Sequence, residues 1–391
     1  MRAMASGDVK WRDGKTGMYV FNAGEDVERV KQAAYSMFSE ENGLGPAAFP
    51  SLARMEREVV GHALALLRAP EGSGGVMTSG GTDSIVMAVK AARDFARAGG
   101  MAGQGNLVTP LTAHPAFHKA AMMMDIEIRR VPTKNLLADA EAMEAACDAG
   151  TIMLVGSAPC FPFGLIDPLE ELSAVALRKN LWLHVDACVG GFLAPFVEMN
   201  GAVLSAWDFR VAGVRSISSD LHKYGYCSKG ASTLLFRDAA MKQHMVFDAG
   251  PWPMGRMLTP TLAGTRPGGA IAAAWAVLNY LGVEGYRAKQ KQVVQARESI
   301  EAGVKKLGFR VLGEPLLGIV SFTHDSLDCL AILRGLYARG WITAANVDPP
   351  SLHMMLSPKH AEVADTYLAD LAASMQDASN PAAMPAPGYG R

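Results

Sequence analysis

Residues 151–187 read TIMLVGSAPCFPFGLIDPLEELSAVALRKNLWLHVDA. A short apolar run, TIMLVGS, gives way to a helix-length segment over Leu169–Lys179 and then to a second apolar run, LWLHVDA. Strand, helix and strand on this scale form a crossover unit of a parallel sheet covered on both faces. The alternation extends outward in both directions. Before it come a helix over Asp83–Ala98, NLVTPL at 106–111, a helix near Phe117–Met124, IEIRRV at 126–131 and a helix near Ala138–Ala149. After it come VRSISSD at 214–220 and STLLF at 232–236. The fold class is α/β, with a mainly parallel sheet.

Upstream, SLARMEREVVGHALALLRAP at 51–70 has helical spacing at Leu52, Met55, Val59, Ala63 and Leu66. Downstream, the Gly- and Pro-rich stretch 249–269 precedes an Ala-rich helix, strands GFRVLG, LGIVSFTH and ITAANV, and a helix near Leu327–Ala338. These divisions predict an N-terminal arm and helix over 1–58, a large domain over 59–282, a smaller α+β domain over 283–378 and an exposed tail over 379–391. The chain's 391 residues, half of them apolar, suffice for two or three domains. With 37 basic against 38 acidic residues and no basic run interleaved with aromatics, nucleic acid is an unsuitable partner and a small molecule the better one. The weakly polar stretch Ala270–Val283 is too short to span a bilayer, and the first residues lack a secretory signal's apolar segment. Five scattered cysteines without CxxC spacing argue against a disulfide framework and a zinc site, so a reducing cytoplasm is expected and no metal.

Four constellations fall at the ends of the α/β units, where open parallel sheets bind ligands. In TSGGTDSIVMAVKAA, Gly80 and Gly81 allow a tight turn, Thr82 adds a hydroxyl, and the following helix points its amino end at the turn, which favours a phosphate. A glycine turn capped by Thr82 or Asp83 explains the same residues. Asp186 ends its strand, where a buried carboxylate needs a cation, either a structural partner or a protonated pyridine nitrogen. Cys188 can pack against one face of such a ring or sit in the core, and His114, in LTAHPAFHKAA, can stack on the other face or lie in solvent. Finally, SISSDLHKYGYCSKGASTLLF at 216–236 holds His222 and Lys223 in a polar turn between apolar strands. Burial there is expected to lower the lysine's pKa and free its amine to form a Schiff base, although a solvated turn reads similarly. In this chain order, the four together describe a site for pyridoxal 5′-phosphate, with Lys223 on its aldehyde and Asp186 on its ring nitrogen.

These motifs resemble the group II pyridoxal-phosphate decarboxylases and, within them, the sphingosine-1-phosphate lyases. The resemblance runs from about Tyr19 to Gly269 and is carried by TSGGTDS, SAPCFPFGLIDPLEEL, HVDACVGGF, DLHKYGYCSKGAS and PTLAGTRPGG. It implies a type I PLP-dependent transferase fold and a homodimer with active sites at the subunit interface. The cofactor phosphate would be held by Gly81, Thr82 and His222, with Thr265 reaching in from the partner chain. It further implies retro-aldol cleavage of the C2–C3 bond of a phosphorylated 2-amino-3-hydroxy compound, giving a long-chain aldehyde and phosphoethanolamine. Lys229 resembles a substrate-phosphate ligand, where amino-acid decarboxylases usually carry an apolar residue; a surface lysine is the alternative. Tyr19, in KTGMY, and Asn42, in NGLGPAAFP, resemble residues that hold the substrate head group. Gly45 stands where the family carries a histidine, which removes a donor and points to a changed substrate; Cys227 and Ser228 replace the family's Ala-Pro. The rival readings are a tyrosine- or glutamate-type decarboxylase on the same scaffold, and a non-catalytic binding protein that keeps the fold.

Overall fold

The computed structural model describes residues 4–378, so the tail expected at 379–391 lies outside the described residues. The chain divides into two compact units. Among the described residues, one comprises Asp26–Phe161 and Leu165–Gly285; the other comprises residues 4–25, Pro162–Gly164 and residues 286–378. The expected arm over 1–58 is thus divided between the units, and the later changeover lies at Gly285 instead of 282.

The larger unit opens with helices α1 (Glu25–Met37) and α2 (Pro50–Leu66), then β1 (Gly74–Thr78), α3 (Gly81–Ala98), β2 (Asn106–Pro110), α4 (Ala116–Met124) and β3 (Glu127–Val131). It continues through α5 (Ala140–Ala145), β4 (Thr151–Ser157), α6 (Leu169–Lys179), β5 (Trp182–Asp186), α7 (Ala194–Met199), β6 (Val214–Ser219) and β7 (Ser232–Phe236). The seven strands form one sheet in the order β1-β7-β6-β5-β4-β2-β3. The pairs from β6 to β3 are parallel, whereas β7 runs antiparallel to both β6 and β1. The sheet is therefore mainly parallel, as expected, but includes one reversed strand: residues 220–231 carry no crossover helix, and β7 returns antiparallel beside β6. Strands β4, β5 and β7 are buried along their whole length. One hydrophobic layer joins Ile85 and Val89 of α3, Phe117 of α4, Val155 of β4, Trp182 of β5 and Phe236 of β7. A two-stranded ribbon, β8 (Phe247–Asp248) with β9 (Leu258–Thr259), precedes α8 (Gly268–Lys306), which breaks at Gly282, where φ is 54° and ψ −170°.

In the other unit, β10 (Arg310–Val311), β11 (Ile319–Thr323), β12 (Ala344–Val347) and β13 (Pro350–Met355) form an antiparallel sheet in the order β10-β11-β13-β12. It is accompanied by α9 (Cys329–Ala338) and α10 (His360–Ala378), which pack on each other. Gly17 ties the N-terminal residues to it, donating to the Ile342 oxygen at 2.8 Å and accepting from the Met355 N–H at 2.8 Å. Among the described residues, no helix is long and apolar enough to cross a membrane.

Candidate active site

The carboxyl ends of β1, β5 and β6, with the loop after β2, surround a cavity of about 420 Å³. Gly81, Thr82, His114, Asp186, Cys188, His222 and Lys223, drawn from segments far apart in sequence, all line it. Gly81 opens α3 against the turn after β6. A Cβ there would lie 2.9 Å from both Asp220 Oδ2 and Cys188 Sγ, so only glycine permits this approach. Asp83, in the first turn of α3, accepts from Ser79 N at 2.9 Å and Ser79 Oγ at 3.0 Å and braces the loop from behind. The amino end of an 18-residue helix thus faces the cavity and suits an anion.

Asp220, which sequence reasoning did not single out, anchors the turn. Its carboxylate is 2% exposed and lies 2.9 Å from Lys223 Nζ and 3.6 Å from His222 Nε2. Burial is the largest single influence and penalises the Lys223 charge, but Asp220, Cys188 and Asp186 together outweigh it, and the ammonium is held above the ordinary lysine value. This reverses the expected lowering: desolvation acts as anticipated, but the buried negative groups around the amine, Asp220 foremost, together override it. Burial likewise opposes the Asp220 charge, yet Lys223 and His222 keep its pKa below the usual carboxylate value. Burial lowers the pKa of His222, with Asp220 opposing. Asp220 Oδ1 and His222 Nδ1 are buried without a hydrogen-bond partner.

Asp186 Oδ1 accepts from the Cys188 N–H at 3.0 Å and the Ser218 hydroxyl at 3.4 Å. Burial pushes the Cys188 thiol well up, with Asp186 and Asp220 adding to the rise, so it is an unreactive packing group. His114 Nδ1 accepts from the Ala116 N–H at 3.2 Å, which leaves the ring proton on Nε2. Its ring meets Phe161 edge-on at 6.5 Å.

The remaining expected residues lie elsewhere. Thr265 lines a small recess with Thr78, Gly230 and Ile271, which meets the cavity at Ser79 and Asp83. Asn42 donates to Thr265 Oγ1 at 3.2 Å and accepts from the N–H groups of Leu44 and Arg266 at 2.9 and 3.2 Å, so its amide holds that turn. Tyr19 belongs to the smaller unit, 63% exposed, with left-handed backbone at φ 65°. Lys229 Nζ donates to the His222 carbonyl at 3.3 Å. Although exposed by area, it is crowded by protein: desolvation first, then the Lys223 charge, pull it down to about 8.

The cavity fits pyridoxal phosphate. It offers an amine for an aldehyde, a carboxylate for a ring nitrogen, a helix end with a Cβ-free approach for a phosphate, and a buried imidazole nitrogen lacking a partner. The pyridoxal-dependent decarboxylase conserved domain matches residues 9–325. Sphingosine-1-phosphate lyase of Oryza sativa subsp. japonica is 39% identical over 381 residues, 95% of this chain and 70% of the relative. A probable L-tyrosine/L-aspartate decarboxylase of Methanothrix thermoacetophila is 36% identical over 344 residues, 88% of this chain and 86% of the relative. The structure of a sphingosine-1-phosphate lyase from Burkholderia pseudomallei matches with a TM-score of 0.93 at 37% identity, over 97% of this chain and 90% of that one. Glutamate decarboxylase of Lactobacillus brevis, at 23% identity and a TM-score of 0.83 over 97% and 91%, shares the fold. A lysine and an aspartate set across one cavity, in a chain so matched, have one reading: the chain belongs to the pyridoxal-dependent decarboxylase family and is a pyridoxal-phosphate-dependent lyase.

Proposed function

We propose that the chain cleaves the C2–C3 bond of a phosphorylated 2-amino-3-hydroxy compound, sphingosine 1-phosphate or a smaller relative, to an aldehyde and phosphoethanolamine. The observation that carries this reading is Lys229, a second amine six residues after Lys223 that touches the His222 carbonyl. A cation beside the His222 turn suits a substrate that carries its own phosphate better than an amino-acid side chain without an anion. The kinship with the lyases supports the same conclusion.

In this reading Gly81, Thr82 and His222 hold the cofactor phosphate, Asp186 its ring nitrogen, His114 and Cys188 its faces, and Lys223 its aldehyde carbon. Bound pyridoxal phosphate supplies the sink for the electron pair released when a bond next to the amine-bearing carbon breaks. In the net reaction the 3-hydroxyl loses its proton, the C2–C3 bond opens, C3 becomes a carbonyl and C2 gains a proton. Asp220 keeps Lys223 Nζ charged, which suits that amine to deliver the proton to C2. The hydroxyl proton then goes to another base: Tyr19, a water or the substrate phosphate. Asn42 orders the Thr265 turn, and Lys229 binds the substrate phosphate.

We infer a homodimer in which Thr265 completes the partner's site. Thr265 is not among the residues that line its own chain's cavity, and the same segment exposes Phe247, Trp252, Met254, Leu258 and Leu262, an apolar surface suited to a second copy. Sedimentation equilibrium showing a monomer at micromolar concentration would remove this part of the reading. We place the protein in the cytoplasm, since none of its five cysteines is in a disulfide.

The decisive assay gives the cofactor-loaded protein sphingosine 1-phosphate and follows aldehyde and phosphoethanolamine, with Lys223→Ala as the blank. Carbon dioxide from tyrosine, aspartate or glutamate, without aldehyde from the phosphorylated substrate, selects the decarboxylase reading. That alternative draws on Gly45 and on the archaeal relative.

A further inference from the structure

Behind Asp186 the sheet carries a continuous polar row through an otherwise apolar layer. Trp182, His184 and Asp186 alternate along β5, and Ser216 and Ser218 along β6; the register pairs His184 with Ser216 and Asp186 with Ser218, placing all five side chains on one face. Trp182 Nε1 donates to Ser216 Oγ at 2.8 Å, Ser216 Oγ lies 2.7 Å from His184 Nδ1, and His184 Nε2 lies 3.2 Å from Ser218 Oγ. Ser218 Oγ in turn lies 3.4 Å from Asp186 Oδ1 and also accepts from Cys188 Sγ at 3.4 Å. His184, Ser216 and Ser218 are completely buried.

The row has a direction. An indole N–H can only donate, so Ser216 receives at one lone pair and its single proton must find an acceptor. His184 Nδ1 is the acceptor the geometry offers; were Nδ1 protonated, the buried Ser216 proton would have none. The imidazole proton therefore sits on Nε2 and is donated to Ser218, whose own proton goes to Asp186. Burial, only partly opposed by Asp186, lowers His184 to about 4, so the ring is neutral at ordinary pH, as this ordering requires.

We propose that Ser216, His184 and Ser218 are positioning residues, oriented by Trp182, that hold Asp186 as a hydrogen-bonded carboxylate facing the cofactor's ring nitrogen. The proposal rests on the reading of Asp186 given above and extends it. A carboxylate held at Oδ1 by Ser218 and the Cys188 N–H cannot rotate to satisfy itself elsewhere, so its second oxygen is left for the ring.

The test compares the apo protein's affinity for pyridoxal phosphate with that for its 1-deaza analogue, which keeps the aldehyde and phosphate but lacks the ring nitrogen. Wild type should prefer the natural cofactor. Ser218→Ala should reduce that preference about tenfold by weakening only the first ligand, with Ser216→Ala acting in the same direction and less strongly. A merely structural defect lowers both affinities together, so an unchanged preference in cooperatively folded variants refutes the row's role while leaving Asp186 in place. Equal affinity of wild type for the two compounds refutes the role of Asp186 and the row with it.

Discussion

Replacing Asp220 with asparagine keeps the shape of the side chain and removes its charge, and the consequence can be worked from one distance. Lys223 Nζ is 2.9 Å from Asp220 Oδ2. At that separation the attraction is about 1.4 kcal/mol with the dielectric constant of water and about 6 kcal/mol at an effective value near 20. Even the lower figure is about one pKa unit. With the attraction gone, the desolvation it offsets in wild type is left to act, and Lys223 falls from above its ordinary 10.5. The apo variant should therefore carry at least about tenfold more neutral amine at pH 8 and capture an aldehyde correspondingly faster. The assay is the rate of Schiff-base formation with pyridoxal, which lacks the phosphate and so isolates the amine, measured across pH with Lys223→Ala as background. The linkage sign gives a second check. Because the folded value lies above the unfolded one, the pair contributes stability that is complete below the unfolded value and is lost as pH rises through the folded one. The stability gap between wild type and variant should thus be full at neutral pH and shrink above about 10.5. Capture at the wild-type rate, with an unshifted pH profile, would refute the assignment of Asp220 as the group that governs the amine.

Other expectations concern the approach of the loops, the substrate phosphate and the buried histidines. Gly81→Ala places a methyl against Asp220 and Cys188 and should cost about 1–3 kcal/mol of stability by overpacking, read by denaturant unfolding, together with a clear loss of cofactor affinity. Lys229→Ala should raise KM for the phosphorylated substrate about tenfold or more while cofactor affinity changes little; cofactor loss accounting for the whole defect would remove Lys229 from the substrate site. Burial lowers both His184 and His360 to about 4, so their ring resonances should titrate near that value in NMR, and a midpoint near 6.5 for either would contradict burial as the control. Since their folded values lie below the unfolded one, each contributes stability that is complete above about pH 6.5 and disappears as pH falls through about 4.

Strands β4 and β5 and helix α6 were legible because short apolar runs bounding an amphipathic segment leave few alternatives, and Asp186 was legible because a lone carboxylate at a strand end needs explaining. Strand direction is a different matter. STLLF reads as a strand either way round, and only its pairing with both β6 and β1 shows that it is reversed. Asp220 is not distinguished in the sequence, because residues it lies against, Gly81 among them, are far back in the chain. The direction of the Lys223 shift depended on that unseen neighbour, although the Asp-x-x-Lys spacing, three residues apart in DLHK, was a signal that could have raised it. Asn42 illustrates the same limit, since nothing local indicates that its amide is committed to residues 265 and 266. The polar row behind Asp186 was half visible as the alternation in WLHVD and SISS, but its meaning required the register between β5 and β6.

The reversed strand also sets the order in which the molecule can be built. Within the sheet, β1 touches only β7, and its residue Val76 pairs with Leu234. During synthesis the glycine turn after β1 is made early, but β1 has no place in the sheet until the ribosome has released the chain through Phe236. Until then its edge waits unpaired, which is the interval of greatest exposure to wrong partners and to chaperones. The strand that supplies the anion-binding turn therefore cannot join the sheet before β7 is available to pair with it. Capture of the cofactor can begin only once the segment bearing Lys223 has itself emerged and folded back upon β1, so a nascent chain stalled before β7 holds every earlier strand and no site.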